Sequence, residues 1–317
     1  RGSGILAAMI FLAIGVSLLL GSSSSLRAHG LQINGPECGI TTHEMIVNGS
    51  YAKPGQFPWM VFLVVHNRKG QSFQCGGTIL TQRHILTAAH CIYPNGLVAV
   101  GAEAYYGNIH KRHGKRLRVT KVIPHAKYNE KSFSHDIAVF VVEKPFQFGT
   151  NARPICIPTA LVNIAGTDNI VAGWGFIREG GPDTNYLKYT TVTAQPNHIC
   201  SANYLAFDSR VMYCAYLTAT DSCQGDSGGP AMYRVSGGRR YVQVGIVSFG
   251  RGCARENVPG VYTRVDVFAP WLKQVVASYD RAYTTQCPCR WDCPPCHNHP
   301  SPSNFCEKLR FFLRTQP

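Results

Sequence analysis

Apolar residues in this chain fall in short runs, and most runs are closed by Gly, Pro, Asn or Ser. "WMVFLVV" (59–65), "RLRVTKVI" (116–123), "DIAVFVV" (136–142), "NIVAGWG" (169–175) and "YVQVGIVSFG" (241–250) each read as a strand. They are rich in β-branched and aromatic residues and too short for helices. The first long stretch with helical spacing is "VFAPWLKQVVASY", Val267 to Tyr279, with Pro270 near its start, where a helix tolerates it. The pattern predicts an all-β body from residue 46 to about residue 265, closed by one helix, with no internal repeat.

Two segments depart from that pattern. At the N-terminus, Arg1 precedes an apolar run from Ile5 to Leu20 and then "GSSSSLRAHG". A cation, a short apolar core and small residues read as a secretory signal peptide over residues 1–28. The run is shorter than the ~20 residues of a spanning helix, and no later segment spans a bilayer. After Tyr279, "CPCRWDCPPCHNHPSPSNFC" packs Cys287, Cys289, Cys293, Cys296 and Cys306 among prolines, so residues 280–317 read as a separate tail. Cys293 and Cys296 have C-x-x-C spacing beside His297 and His299. For an exported chain disulfides are the preferred reading over a metal site, and an odd cysteine is left over.

Composition sharpens the picture. Hydrophobic residues are 45% and charged residues 15%, with 31 glycines and 19 prolines, which suits a turn-rich globule and argues against a disordered chain. Thirteen cysteines point to an oxidising compartment. A formal net charge of +14 favours polyanions such as glycosaminoglycans as partners. Nothing resembles a nucleic-acid module. A secreted, extracellular protein with neither nucleic acid nor membrane as partner is expected.

Three motifs carry the chemistry. "DSCQGDSGGP", Asp221 to Pro230, is built for a sharp turn whose hydroxyl and backbone N–H groups converge on one carbonyl. "LTAAHC" sets His90, a candidate base, beside Cys91. "SHDIAVFVV" sets Asp136 at the head of an apolar strand, where a carboxylate can be buried against an imidazole. In this order and context, from Ile46 to about Tyr279, they resemble the trypsin-like serine endopeptidases of the chymotrypsin fold.

The resemblance implies two packed six-stranded antiparallel β-barrels with a C-terminal helix, and no cofactor. It implies a nucleophile at Ser227, a general base at His90 and an orienting carboxylate at Asp136. The oxyanion hole falls on the N–H groups of Gly225 and Ser227, and Ser248 matches the residue that orients the aspartate and backs the substrate. Asp221 matches the base of a pocket for Arg or Lys, with Ser222 beside it and Gly250 and Gly260 as walls. Phe249 stands where the family most often has Trp, which predicts an altered subsite. Pro259 stands where sodium-binding members carry Tyr, so sodium activation is not expected. Implied bridges are Cys38–Cys156, Cys75–Cys91, Cys200–Cys214 and Cys223–Cys253.

The same resemblance divides the chain into a propeptide (29–45) and a protease domain (46–279). Cleavage before Ile46 would free an amine that pairs with Asp226 and orders the site. Met45 is not the basic residue at which the family is usually cut, so an activating protease of different specificity is expected. Asn48-Gly-Ser50 is a glycosylation sequon next to that bond. "HKRHGKRLRVTK", residues 110–121, holds six Lys or Arg and no acid, and Ala102 stands where a calcium loop would begin with an acid. Calcium is therefore not expected there, and no other metal is. The stretch instead reads as a site for polyanions, or as a solvated loop without a partner. Substrates with Arg or Lys and protein protease inhibitors are the other implied partners. The alternative is a catalytically silent relative serving as a secreted binding or cofactor protein. Such relatives usually lack a triad residue, and all three are present here.

Overall fold

A computed structural model describes residues 32–42, 50–93, 96–176, 181–216, 226–235, 238, 240–251 and 258–286. The signal peptide, the bond after Met45, Asn48 and, of the tail, residues 287–317 with all five of its cysteines lie outside the described residues.

A two-residue strand β1 (Ser50–Tyr51) leads into the first barrel. That barrel is β2 (Met60–Asn67), β3 (Ser72–Ile79), β4 (His84–Thr87), β5 (Ala99–Tyr106), β6 (Lys115–Pro124) and β7 (Ala138–Val142). It closes in the order β2-β3-β4-β7-β6-β5, every pairing antiparallel. The second contains β8 (Asp168–Gly173), β9 (Lys188–Ala194), β10 (Met212–Tyr216), β11 (Pro230–Arg234), β12 (Tyr241–Phe249) and β13 (Gly260–Arg264). It runs β9-β10-β13-β12-β11-β8 and closes through β8–β9, while β1 adds an outer edge to β9. Two six-stranded antiparallel barrels result, as the family resemblance implies.

Alternation decides which side chains enter each barrel. Along β6, Leu117 and Val119 are buried while Arg116, Arg118 and Thr120 are not. Every residue of β7 is buried, because its outer face is covered as well. Between the barrels, Trp59, Phe62 and Met60 meet Trp174, Met232 and Tyr241 in one cluster. A buried bond from Thr78 Oγ1 to Gln243 Oε1 (2.7 Å) crosses the same seam.

The helices differ in detail from the expected pattern. A short helix α1 (Asn197–Asn203) has too few turns to show apolar periodicity. The closing helix α2 (Ala269–Gln286) continues past Tyr279, since neither Gly nor Pro interrupts the chain before Pro288. Its Leu272 and Val276 pack on the first-barrel core, and Tyr279 meets His84 of β4 edge-on at 5.0 Å. Bridges join Cys38 to Cys156, Cys75 to Cys91 and Cys200 to Cys214. Cys223 and Cys253 lie outside the described residues.

Candidate active site

His90 stands on a 3-10 turn (Ala89–Ile92) that follows β4. The next residue, Cys91, is bonded to Cys75 of β3, so the turn is fastened to its own barrel. Cys75, His90 and Cys91 offer atoms within 4.8 Å of one another. The two sulfurs are bonded together, though, so neither is a thiolate and the group is not a metal site.

Asp136 is fully buried just before β7. Its Oδ1 accepts the His90 backbone N–H at 2.8 Å and its Oδ2 accepts His90 Nδ1–H at 2.7 Å. A carboxylate can only accept, so the proton of neutral His90 belongs on Nδ1 and Nε2 carries the lone pair. Burial alone pulls the His90 pKa down. The Asp136 charge and its hydrogen bond outweigh that, and the pKa ends above the ordinary 6.5. Ser248 Oγ on β12 donates a short hydrogen bond to Asp136 Oδ2, and Thr263 Oγ1 on β13 donates to the Asp136 carbonyl at 2.9 Å. The aspartate of the first barrel is thus held from the second.

Ser227 occupies the turn before β11, which is pressed against the first barrel. Gly76 N–H donates to the Ser227 carbonyl at 2.7 Å, and Gly228 N–H donates to Val247 O at 2.9 Å. Gly228 has φ +80°, and a Cβ there would lie 2.2 Å from Thr87 Oγ1, three residues before His90. Only glycine fits that turn. The Cys91 sulfur lies 3.8 Å from the Ser227 carbonyl; being bonded to Cys75, it makes van der Waals contact and no hydrogen bond. The Ser227 turn and the His90 turn therefore share one seam.

Asp226, next to Ser227, accepts Gly175 N–H on Oδ1 at 2.8 Å. A Cβ on Gly173 would lie 1.9 Å from this carboxylate, and one on Gly175 2.6 Å, so both neighbours must lack a side chain. Phe249 is half-buried between Phe133 (5.1 Å) and Tyr204 (5.5 Å, edge-on), and Phe133 in turn meets the His90 ring at 5.9 Å. Gly260 opens β13 and Gly250 follows β12, one step beyond the Phe249–Val261 pair, so the two lie at one end of adjacent strands. Asp221, Ser222, Gly225 and Ile46 lie outside the described residues.

Thr263, Phe133 and Tyr204 are absent from the sequence reading. Thr263 is an ordinary strand residue in "GVYTR", and Phe133 sits in the polar stretch "NEKSFSHD", so neither carries a local signal. Their contacts exist only once the barrels dock.

The basic stretch forms the tip between β5 and β6 and part of β6. Lys111 pairs with Asp183, Arg116 with Glu103 (3.1 Å) and Arg118 with Glu143 (3.6 Å). Arg112 is exposed with φ +86°, Lys121 is exposed, and Lys115 reaches Gln147. Ala102 packs into the first-barrel core, a position with no place for an acidic ligand.

Comparison with known proteins agrees with this arrangement. A family model described as Trypsin matches residues 46–272. Serine protease 56 of Homo sapiens is 37% identical over 262 residues, covering 80% of this chain and 42% of that protein. Serine protease filzig of Drosophila melanogaster is 32% identical over 80% of this chain and 16% of its own length. The clotting factor G beta subunit of Tachypleus tridentatus is 32% identical over 84% of this chain and 92% of its own. The chain spans less than half the length of the first two relatives.

Proposed function

Because the chain belongs to the trypsin family of serine proteases, we propose that it is a secreted endopeptidase that cuts after Arg or Lys and is made as an inactive precursor. The observation that supports activity best is the buried carboxylate of Asp136, which meets both the backbone and Nδ1 of His90. That pairing fixes the imidazole with the lone pair on its other nitrogen.

The family is the type case of the chemistry assigned here. Ser227 Oγ attacks the scissile carbonyl as His90 Nε2 takes its proton. The tetrahedral oxyanion lies against the N–H groups of Gly225 and Ser227. His90, now a cation stabilised by Asp136, returns the proton to the leaving amine and the acyl-enzyme forms. Water, activated by His90 in the same way, then releases the acid product. Asp221 at the base of the substrate pocket calls for a cation, since a neutral side chain would leave a buried charge unpaired.

In the precursor reading, cleavage after Met45 frees the Ile46 amine, which pairs with Asp226. The close fit of Asp226 against Gly173 and Gly175 supports this, because moving its carboxylate must disturb the Ser227 turn. The activator is a protease of different specificity, since Asp221 does not favour cutting after Met. Secretion is supported by the bridges, and among the described residues no helix is long and apolar enough to cross a membrane. A glycan on Asn48 would sit beside the activation bond.

The test is peptide hydrolysis before and after cutting at Met45–Ile46, with Arg, Lys or Phe at the cleaved position. Turnover of the Arg and Lys peptides alone, and only after the cut, is expected. No turnover after a verified cut would instead promote the silent binding protein. Protein protease inhibitors would occupy the same cleft. Polyanions would bind the β5–β6 tip and the adjoining part of β6, where Arg112, Lys115 and Lys121 lack acidic partners among the described residues. Heparin that changes turnover at low salt but not at high salt supports that partner.

A further inference from the structure

We propose that Thr263 is a positioning residue for proton transfer: its hydroxyl, reaching from β13 of the second barrel, holds the backbone of Asp136 in the first so that the carboxylate stays aligned on His90. The inference rests on the serine-protease reading and adds to it a residue that never meets the substrate.

The approach to Asp136 is what makes such a hold necessary. Phe133 and His135 both have left-handed backbones, φ +54° and +57°, and neither is glycine. Such residues persist only where their surroundings over-determine them. Ile137 N–H then donates to His135 O at 2.8 Å, which makes Asp136 the centre of a three-residue turn. At this bend the Asp136 carbonyl accepts from Thr263, itself only 1% exposed, and both groups are beyond the reach of bulk water. A buried acceptor that loses its donor relaxes toward another. Here, relaxation means rotating the turn that carries the carboxylate.

Thr263 and Ser248 divide the task. Ser248 grips the carboxylate and Thr263 grips the main chain, from neighbouring strands β12 and β13. Together with the His90 backbone N–H on Oδ1, these two anchors fix both the position and the rotation of the carboxylate. Part of the alignment of Asp136 thereby comes from the docked second barrel.

The test compares wild type, Thr263→Val and Thr263→Ser, all cut at Met45–Ile46. Valine keeps the shape and removes the donor, whereas serine keeps the donor. We expect Thr263→Val to lower kcat by about 10- to 100-fold with KM within about twofold. The acid limb of kcat/KM, and the His90 titration followed by NMR, move to lower pH as the imidazolium loses its aligned carboxylate. Thr263→Ser should restore both. A purely structural role predicts a lower melting temperature with kcat and acid limb unchanged, and that result overturns the proposal. So does a serine variant as impaired as the valine. If the valine protein does not fold, Thr263→Ala takes its place in the same assays. An inactive wild type would refute the protease reading instead. The His90 titration, which needs no turnover, would then decide the positioning claim, and an unchanged titration in the variant rejects it.

Discussion

His84 makes the fold sensitive to acid in a way that can be worked out in advance. It is fully buried on β4, with Nδ1 hydrogen-bonded to Thr81 Oγ1 at 2.7 Å and, among the described residues, no hydrogen-bond partner at Nε2. Burial, and then the charge of neighbouring Arg83, lower its pKa from 6.5 to about 4. Above 6.5 the imidazole is neutral in both folded and unfolded chains, so it contributes no pH dependence. Between 6.5 and 4 the unfolded chain takes a proton that the folded one refuses, and stability falls as pH drops. The full effect is about 3 kcal/mol below pH ~4, of which about 2 kcal/mol is lost between pH ~7 and pH ~4.5. Carboxylates also titrate in this window, so the measurement must cancel them. Urea unfolding of wild type and His84→Phe at both pH values does so by double difference. Wild type should lose about 2 kcal/mol more than the variant, roughly 1 M in midpoint for a slope near 2 kcal/mol per M. Equal losses within about 0.5 kcal/mol would refute the buried neutral imidazole.

Other outcomes follow from the site. Gly173→Ala places a Cβ 1.9 Å from the Asp226 carboxylate and should break its bond from Gly175. Losing a hydrogen bond to a charged group costs ~1.5–3 kcal/mol, so kcat/KM should fall about 10- to 100-fold while circular dichroism shows the strands intact. Unaltered kinetics would mean that the carboxylate does not set the Ser227 turn. Because His90 must be neutral to act as base and its pKa lies above 6.5, activity should be present at higher pH and lost as pH falls through a midpoint above 6.5. A pH profile of kcat/KM with its acid midpoint below 6.5 contradicts the Asp136 contact.

The fold was largely legible because strongly apolar strands announce themselves. β2, β7 and β12 coincide with "WMVFLVV", "DIAVFVV" and "YVQVGIVSFG". β3 carries Gly76 and Gly77, and β9 is "KYTTVTA"; such strands are recognisable only from their partners across the sheet. Gly76 illustrates why: its missing side chain serves contact with Gly229 of the other barrel, 3.0 Å from where a Cβ would stand. At the site, His90, Asp136 and Ser227 sit in dense local motifs, so the sequence nominates them. Thr263 and Phe133 act through tertiary contact and leave no local trace. The charge of the 110–121 stretch was likewise legible, whereas its partial neutralisation by Asp183, Glu103 and Glu143 arises from residues distant in sequence or across the strand.

The most direct test of the central claim is covalent labelling of Ser227. Protein cut at Met45–Ile46 would be treated with a phosphonate probe that reacts with activated serines, and the adduct located by mass spectrometry. One adduct per chain is expected on Ser227, absent before the cut and absent in Ser227→Ala and His90→Ala. No adduct after a verified cut, or equal labelling in Ser227→Ala, would contradict it.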